Sequence, residues 1–112
     1  MQSPELTKPF ARPMNTKELC SRYEAGQRDF RNLNLIAANL RNLNLGGANL
    51  SGANLTKANL TRTNLSNANL TGAILVGANL TETNLTQANL TNANLNDTNL
   101  SDAQLRGCIT SK

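Results

Sequence analysis

The sequence predicts an all-β solenoid of about four coils with a short α-helical cap at its N-terminal end. Three observations lead there. From Arg28 to Gly107 the pattern Ala-Asn-Leu-x-x recurs every five residues. A period of five suits neither a straight helix nor a straight strand. Just ahead of the repeat, Asn15 to Gly26 carries the start and stop signals of one helix.

Residues 1–14 hold all three prolines, Pro4, Pro9 and Pro13, and no periodicity, so they are expected to form a flexible or extended arm. Residues 15–27 are the expected cap. Asn15-Thr16-Lys17-Glu18 reads as an N-cap with Glu three residues on, and Leu19 and Tyr23 fall four apart on one face. Gly26 is placed to stop the helix. Solenoids need their terminal coils covered, and a helix laying Leu19 and Tyr23 over Phe30, Leu33 and Leu35 would do so.

Residues 28–107 form sixteen units. Every fifth position from 35 to 105 is Leu, fifteen in succession, with Phe30 in the first slot. Two residues before each Leu the side chain is small: Ala in ten units, Thr63, Thr83 and Thr98 in three, with Leu33, Leu43 and Arg28 as exceptions. Asn stands between them in thirteen units, replaced by Asp29, Ile74 and Gln104. On a helix, successive Leu would lie roughly 140° apart and spiral around every face, and on one continuous strand they would alternate sides. Within a unit, however, Ala and Leu share one side of an extended segment and Asn faces the other. The chain must therefore bend once per unit for all the Leu to face a common axis. Four equal corners give a 20-residue coil, in keeping with Thr63 and Thr83 standing 20 apart. The glycines Gly47, Gly52, Gly72, Gly77 and Gly107 occupy the expected corner slot, and Asn ladders between coils and to turn backbone are expected to line the wall.

These residues and spacings are similar to the pentapeptide repeat proteins, whose units read Ala-(Asp/Asn)-Leu-x-x. The stretch from Leu19 to Phe30 resembles the lead-in of cyanobacterial members. The resemblance, and not the periodicity, implies a right-handed quadrilateral β-helix. It also implies dimerisation through a C-terminal face.

In residues 108–112, Cys108 could begin another unit but Thr110 occupies the Leu slot, so a short tail is expected. With no visible cap there, Leu90, Leu95, Leu100, Leu105 and Ile109 are the candidate face of an end-to-end homodimer. Cys20 and Cys108 fall at opposite ends, beyond the roughly 7 Å reach of a disulfide, so both are expected as thiols.

Composition narrows the function. Leu and Asn supply 19 residues each, Ala 13 and Thr 12, more than half of the 112. Apolar content sits near the disorder threshold, and only the regular burial of Leu makes folding plausible. There is no His, and no Cys, Asp and Glu are spaced as ligands, so no catalytic residue, cofactor or metal is expected. A net charge of +4 without a basic run gives no footprint for specific nucleic-acid binding, and no apolar run suits a membrane span. The expected setting is cytoplasmic, and the nine Asn-Leu-Ser/Thr triplets are read as structural rather than as glycan acceptors. The expected function is therefore a protein-interaction or scaffold module with an unknown protein partner. Its candidate patch is Ile74 and Val76, which replace an outward Asn and Thr, with Ile36 in the Val76 column. The alternative is DNA mimicry against a type II topoisomerase, a branch of the resembled family. Mimicry calls for acidic residues where this chain has Asn.

Overall fold

The computed structural model describes residues 13–110. The first twelve residues of the expected arm lie outside them. Pro13 and Met14 belong to the folded body rather than to an arm: Pro13 pairs in parallel with Asn34, the Met14 N–H donates to the Asn34 carbonyl at 3.2 Å, and Met14 is 5% exposed. Met14 is an apolar side chain that reaches the first coil, and its burial there together with the Met14 N–H bond offsets the freedom lost by ordering two residues.

Helix α1 spans Thr16–Glu24. Asn15 is its N-cap, extended in backbone, with Oδ1 accepting the Glu18 N–H at 2.8 Å. Glu18 meanwhile receives Arg22 Nη2 at 2.8 Å one turn on. At the other end Gly26 takes φ 103°, the Gln27 N–H reaches the Arg22 carbonyl and the Gly26 N–H the Tyr23 carbonyl, both at 3.0 Å. This is the Schellman closure that a left-handed residue permits. Leu19 is fully buried in the same core cluster as Phe30, Leu33 and Leu35.

The repeat region is a ladder of parallel pairings whose register is always 20, from Asp29–Asn49 to Asn89–Ile109. Four five-residue units therefore make one coil, and the section measures 23 × 23 Å. Side one carries Phe30, Leu50, Leu70 and Leu90. Side two carries Leu35, Leu55, Leu75 and Leu95, side three Leu40, Leu60, Leu80 and Leu100, and side four Leu45, Leu65, Leu85 and Leu105. Each side pairs through a single bridge residue instead of a full strand. A corner every five residues leaves only three extended residues per side, too few for one. The expected tail also differs: Cys108 and Ile109 continue the ladder on side one above Leu90, with Leu90 N–H donating to the Ile109 carbonyl at 2.6 Å. Thr110 in the Leu slot does not stop that pairing, because it uses backbone.

Each corner that follows a Leu has a hydrogen bond from the next unit's first N–H back to the Leu carbonyl, as from Ala68 to Leu65 at 3.1 Å. Its third residue has positive φ, at eleven non-glycine residues and the five expected glycines. The unit 68–72 shows where the other amides go. Asn69 N–H donates down to the Ala48 carbonyl at 2.9 Å, Leu70 N–H up to Asn89 at 2.7 Å, and Gly72 N–H up to Thr91 at 2.9 Å. The fifth amide, Thr71 N–H, donates to Asn69 Oδ1 at 3.0 Å, and the Thr71 hydroxyl joins it at 2.6 Å. The Asn side chains thus act mainly within their own unit, as Asx turns. A direct bond between coils, which the ladder expectation emphasised, is seen from Asn64 Nδ2 to Asn44 Oδ1 at 3.0 Å. The oxygen is oriented toward the following amide, which has no backbone acceptor in its place.

The Leu series from Leu35 to Leu85 is at most 1% exposed, each side chain contributing roughly 1.5–3 kcal/mol. Thr63 and Thr83 are fully buried in the small slot, their hydroxyls donating to the Leu40 and Leu60 carbonyls of the coil below.

Two outcomes follow for stability. Asn59→Ala removes the acceptor of both the Thr61 N–H and the Thr61 hydroxyl and should cost about 1 kcal/mol in denaturant titration. Asn59→Asp keeps an oxygen in place and should cost far less at neutral pH. Ala37 holds φ 60° without the excuse of a glycine, so Ala37→Gly should stabilise by about 1 kcal/mol, read as a higher unfolding midpoint.

Candidate interaction surfaces

On side two the outward column after each Leu reads Ile36, Thr56, Val76, Asn96. Ile36 is 48% exposed, and Ile74 and Val76 are half-buried. Ile74 and Val76 lie two residues apart and form one patch. Thr56, its hydroxyl turned onto Asn54 Oδ1 at 2.6 Å, stands between Val76 and Ile36. The three candidates therefore share a side as a strip about two coil spacings long and not as one contiguous cluster. The corner beside the strip adds a residue that the pattern of apolar letters misses: a Cβ on Gly77 would come within 3.3 Å of Lys57 Cγ. The aliphatic stem of Lys57 thus runs over the corner that Gly77 leaves open and extends the apolar surface, with the ammonium beyond it. The signal in the sequence is the glycine directly above Lys57.

The Ile74 unit also lacks what every Asn unit has. With no side-chain oxygen at position 74, the Val76 N–H has no acceptor among the described residues, whereas the matching Thr56 N–H is bonded to Asn54 Oδ1 at 3.1 Å. The same departure at Gln104 leaves Arg106 N–H without an Asx bond.

At the C-terminal rim, four of the five candidate residues are accessible. Leu105 is 46% and Ile109 49% exposed, and Leu95 and Leu100 are half-buried. Leu90 is 2% exposed and does not belong to the face: residues 108–110 pass over it, adding a further side to the ladder. Ile109 occupies the outward Asn slot of its unit and so lies at the edge of the end, not in its middle. Among the described residues, the N–H groups of Leu95, Leu100, Leu105 and Thr110 and the carbonyls of Ala93, Thr98, Ala103 and Cys108 have no partner. The opposite end is different. Three of its outward carbonyls are taken by the cap: Asn34 by Met14 N–H, Asn39 by the Thr16 hydroxyl at 2.8 Å, and Gly46 by the Tyr23 hydroxyl at 2.6 Å.

Charge is distributed more evenly than the count suggests. Arg31 bonds Asp29 at 2.8 Å and holds that carboxyl below the usual carboxylate range. Arg62 lies between Asn42 Oδ1 and Glu82 Oε1, both at 3.2 Å, and Arg28 packs on the Tyr23 ring at 3.6 Å. Arg41 and Lys57, and at the rim Asp97, Asp102 and Arg106, have no ionic partner among the described residues. The two cysteines are free thiols, and burial pushes the Cys108 thiol up. Cys20 lines a shallow cleft of about 320 Å³ with Tyr23, Glu24, Asn42, Leu43 and Asn44, between helix and first coil. Among the described residues, no three His, Cys, Asp or Glu gather at metal-binding distance, and no helix is long and apolar enough to cross a membrane.

Comparison with known proteins bears on this repeat. The pentapeptide-repeat family model matches residues 34–72 and 73–109. A pentapeptide repeat protein from the thylakoid lumen of Arabidopsis thaliana is 38% identical with a TM-score of 0.61, the match covering 72% of this chain and 60% of that one. The chain therefore spans about three-fifths of that protein's length. A pentapeptide repeat protein from Nostoc PCC 7120 is 33% identical with a TM-score of 0.60, over 91% of this chain and 90% of that one. No curated protein matches in sequence. The register of 20, the Leu-filled interior and these matches agree, and the chain belongs to the pentapeptide repeat family.

Proposed function

We propose that the chain is a non-enzymatic protein-interaction or scaffold module of the cytoplasm, built as a right-handed quadrilateral β-helix. It recognises a protein partner through the Ile36, Ile74 and Val76 strip of side two and pairs end to end with a second copy. The observation that carries the reading is the Ile74 unit. An Asn there would satisfy the Val76 N–H, as Asn does in thirteen other units, so the substitution gives up a hydrogen bond and places two apolar side chains on an otherwise polar wall. A packing need does not explain it, since both side chains face outward and are half-buried. An apolar contact flanked by the Lys57 ammonium fits a partner surface with an apolar anchor and an acidic rim.

The double variant Ile74→Asn, Val76→Thr should abolish partner capture from a lysate while the unfolding midpoint stays level or rises, because the Asx bond returns. Loss of stability with capture retained would sink the assignment of the strip.

The alternative, a DNA-mimicking inhibitor of a type II topoisomerase, requires an acidic column that stands in for phosphates. The first two coils carry Arg28, Arg31, Arg41, Lys57 and Arg62 against Asp29 alone, which disfavours it. No inhibition is expected in a gyrase supercoiling assay at micromolar protein. Inhibition there would overturn the scaffold reading.

A further inference from the structure

We propose that two copies of this chain join at their C-terminal rims in one specific register, with a two-fold axis running through the Ser101–Asp102 corner. The inference rests on the end-to-end reading above and adds to it which residues meet.

The rim is not flat. A constant register of 20 means that the chain climbs one strand spacing, about 4.8 Å, per coil and about a quarter of it per side. Residues 108–110 on side one stand highest. Side four, at 103–105, lies about a quarter of a spacing lower, side three, at 98–100, about half, and side two, at 93–95, about three-quarters. A second copy turned over onto this stair closes it evenly only if high meets low by the same amount everywhere. The axis through the corner at 101–102 sets side one on the partner's side two and side three on the partner's side four, and both gaps are equal. The other diagonal, and both axes through mid-sides, leave one gap wide where another is closed.

The hydrogen-bonding pattern selects the same arrangement. Turning one copy over makes the facing sides antiparallel. With Asn99 opposite the partner's Gln104, Leu100 N–H meets the Ala103 carbonyl and Leu105 N–H meets the Thr98 carbonyl. With Asn94 opposite the partner's Ile109, Leu95 N–H meets the Cys108 carbonyl and Thr110 N–H meets the Ala93 carbonyl. These are the two bonds that flank a non-hydrogen-bonded pair in an antiparallel ladder. They use all the unpartnered side amides and carbonyls of both rims. The corner amides of Asp97, Asp102 and Gly107 stay at the outer edge, where water serves them.

Charge agrees at two corners. The axis carries the 96–97 corner onto the partner's 106–107 corner, so that Asp97 meets Arg106 twice, and these groups have no ionic partner among the described residues of their own chain. Asp102 faces its own copy at an exposed corner, where solvent softens the repulsion. The 23 × 23 Å end offers on the order of 500 Å² per chain, and pairing buries about 1,000 Å², the lower bound of specific interfaces. Helix α1 lies across the opposite end and covers it, so pairing closes at two copies and does not continue into a fibre.

The test uses the chain with Cys20→Ser and Cys108→Ser as background. Light scattering at tens of micromolar should give twice the 12.0 kDa chain mass, and Leu100→Glu should return it to one. In this background Asp102→Cys alone should oxidise to a linked dimer, Asp97→Cys with Arg106→Cys should also link, and Arg106→Cys alone should not. Asp97→Arg should weaken association about tenfold, and adding Arg106→Asp should restore it. A monomer throughout, with the circular dichroism of the folded chain, overturns the end-to-end reading itself. A dimer that links through Arg106→Cys alone, or fails to link through Asp102→Cys, overturns the register and leaves end-to-end pairing standing.

Discussion

Every unit of the solenoid has five amide N–H groups and a backbone that can accept only four of them. In units with a coil on either side three go to neighbouring coils and one closes the corner, and the amide after Leu is left over. The Asn oxygen two residues earlier takes it, in each of the thirteen Asn units and through Asp29 in the first. This one bond makes a five-residue corner possible without an unsatisfied group, and it explains why Asn and Asp share the slot. Thr and Ser follow because a hydroxyl beside that oxygen can donate to it as well.

The corner itself has a conformational cost, since its third residue must be left-handed. Five corners meet it with glycine, and six of the remainder with Asn or Asp, the residues that tolerate such backbone best; Ala37, Lys57, Arg62, Glu82 and Gln87 bear it in full or in part. The Leu interior compensates, because each unit places one Leu, or Phe30 in the first, toward the common axis, and from Phe30 to Leu85 these are at most 1% exposed. A polar composition can therefore fold once its few apolar residues are all used.

The two ends show what happens when the ladder stops. At the N-terminal end Met14 and α1 supply both things a terminal coil lacks, an apolar cover through Leu19 and Met14, and donors through Met14 N–H, Thr16 and Tyr23. At the other rim neither is supplied within residues 91–110, and its edge amides and half-exposed Leu face outward. The Ile74 unit is the interior counterpart, the one wall position where an apolar residue replaces the Asn oxygen and exposes an amide.

Much was legible in the letters alone, because a strict period of five admits few structures. It required a bend per unit, an inward Leu, an outward Asn, a tight corner at the slot that holds the glycines and a capped helix from Asn15 to Gly26. It also marked Ile74 and Val76 as departures. The periodicity could not say to whom the Asn oxygen bonds, since a ladder between coils and a turn within a unit use the same residue; position relative to the following amide decided that. Nor could it show that Met14 docks on the first coil, that residues 108–110 cover Leu90, or that Lys57 lies over Gly77. Each depends on which residues stand 20 apart, a relation between coils that exists only after the chain has closed on itself.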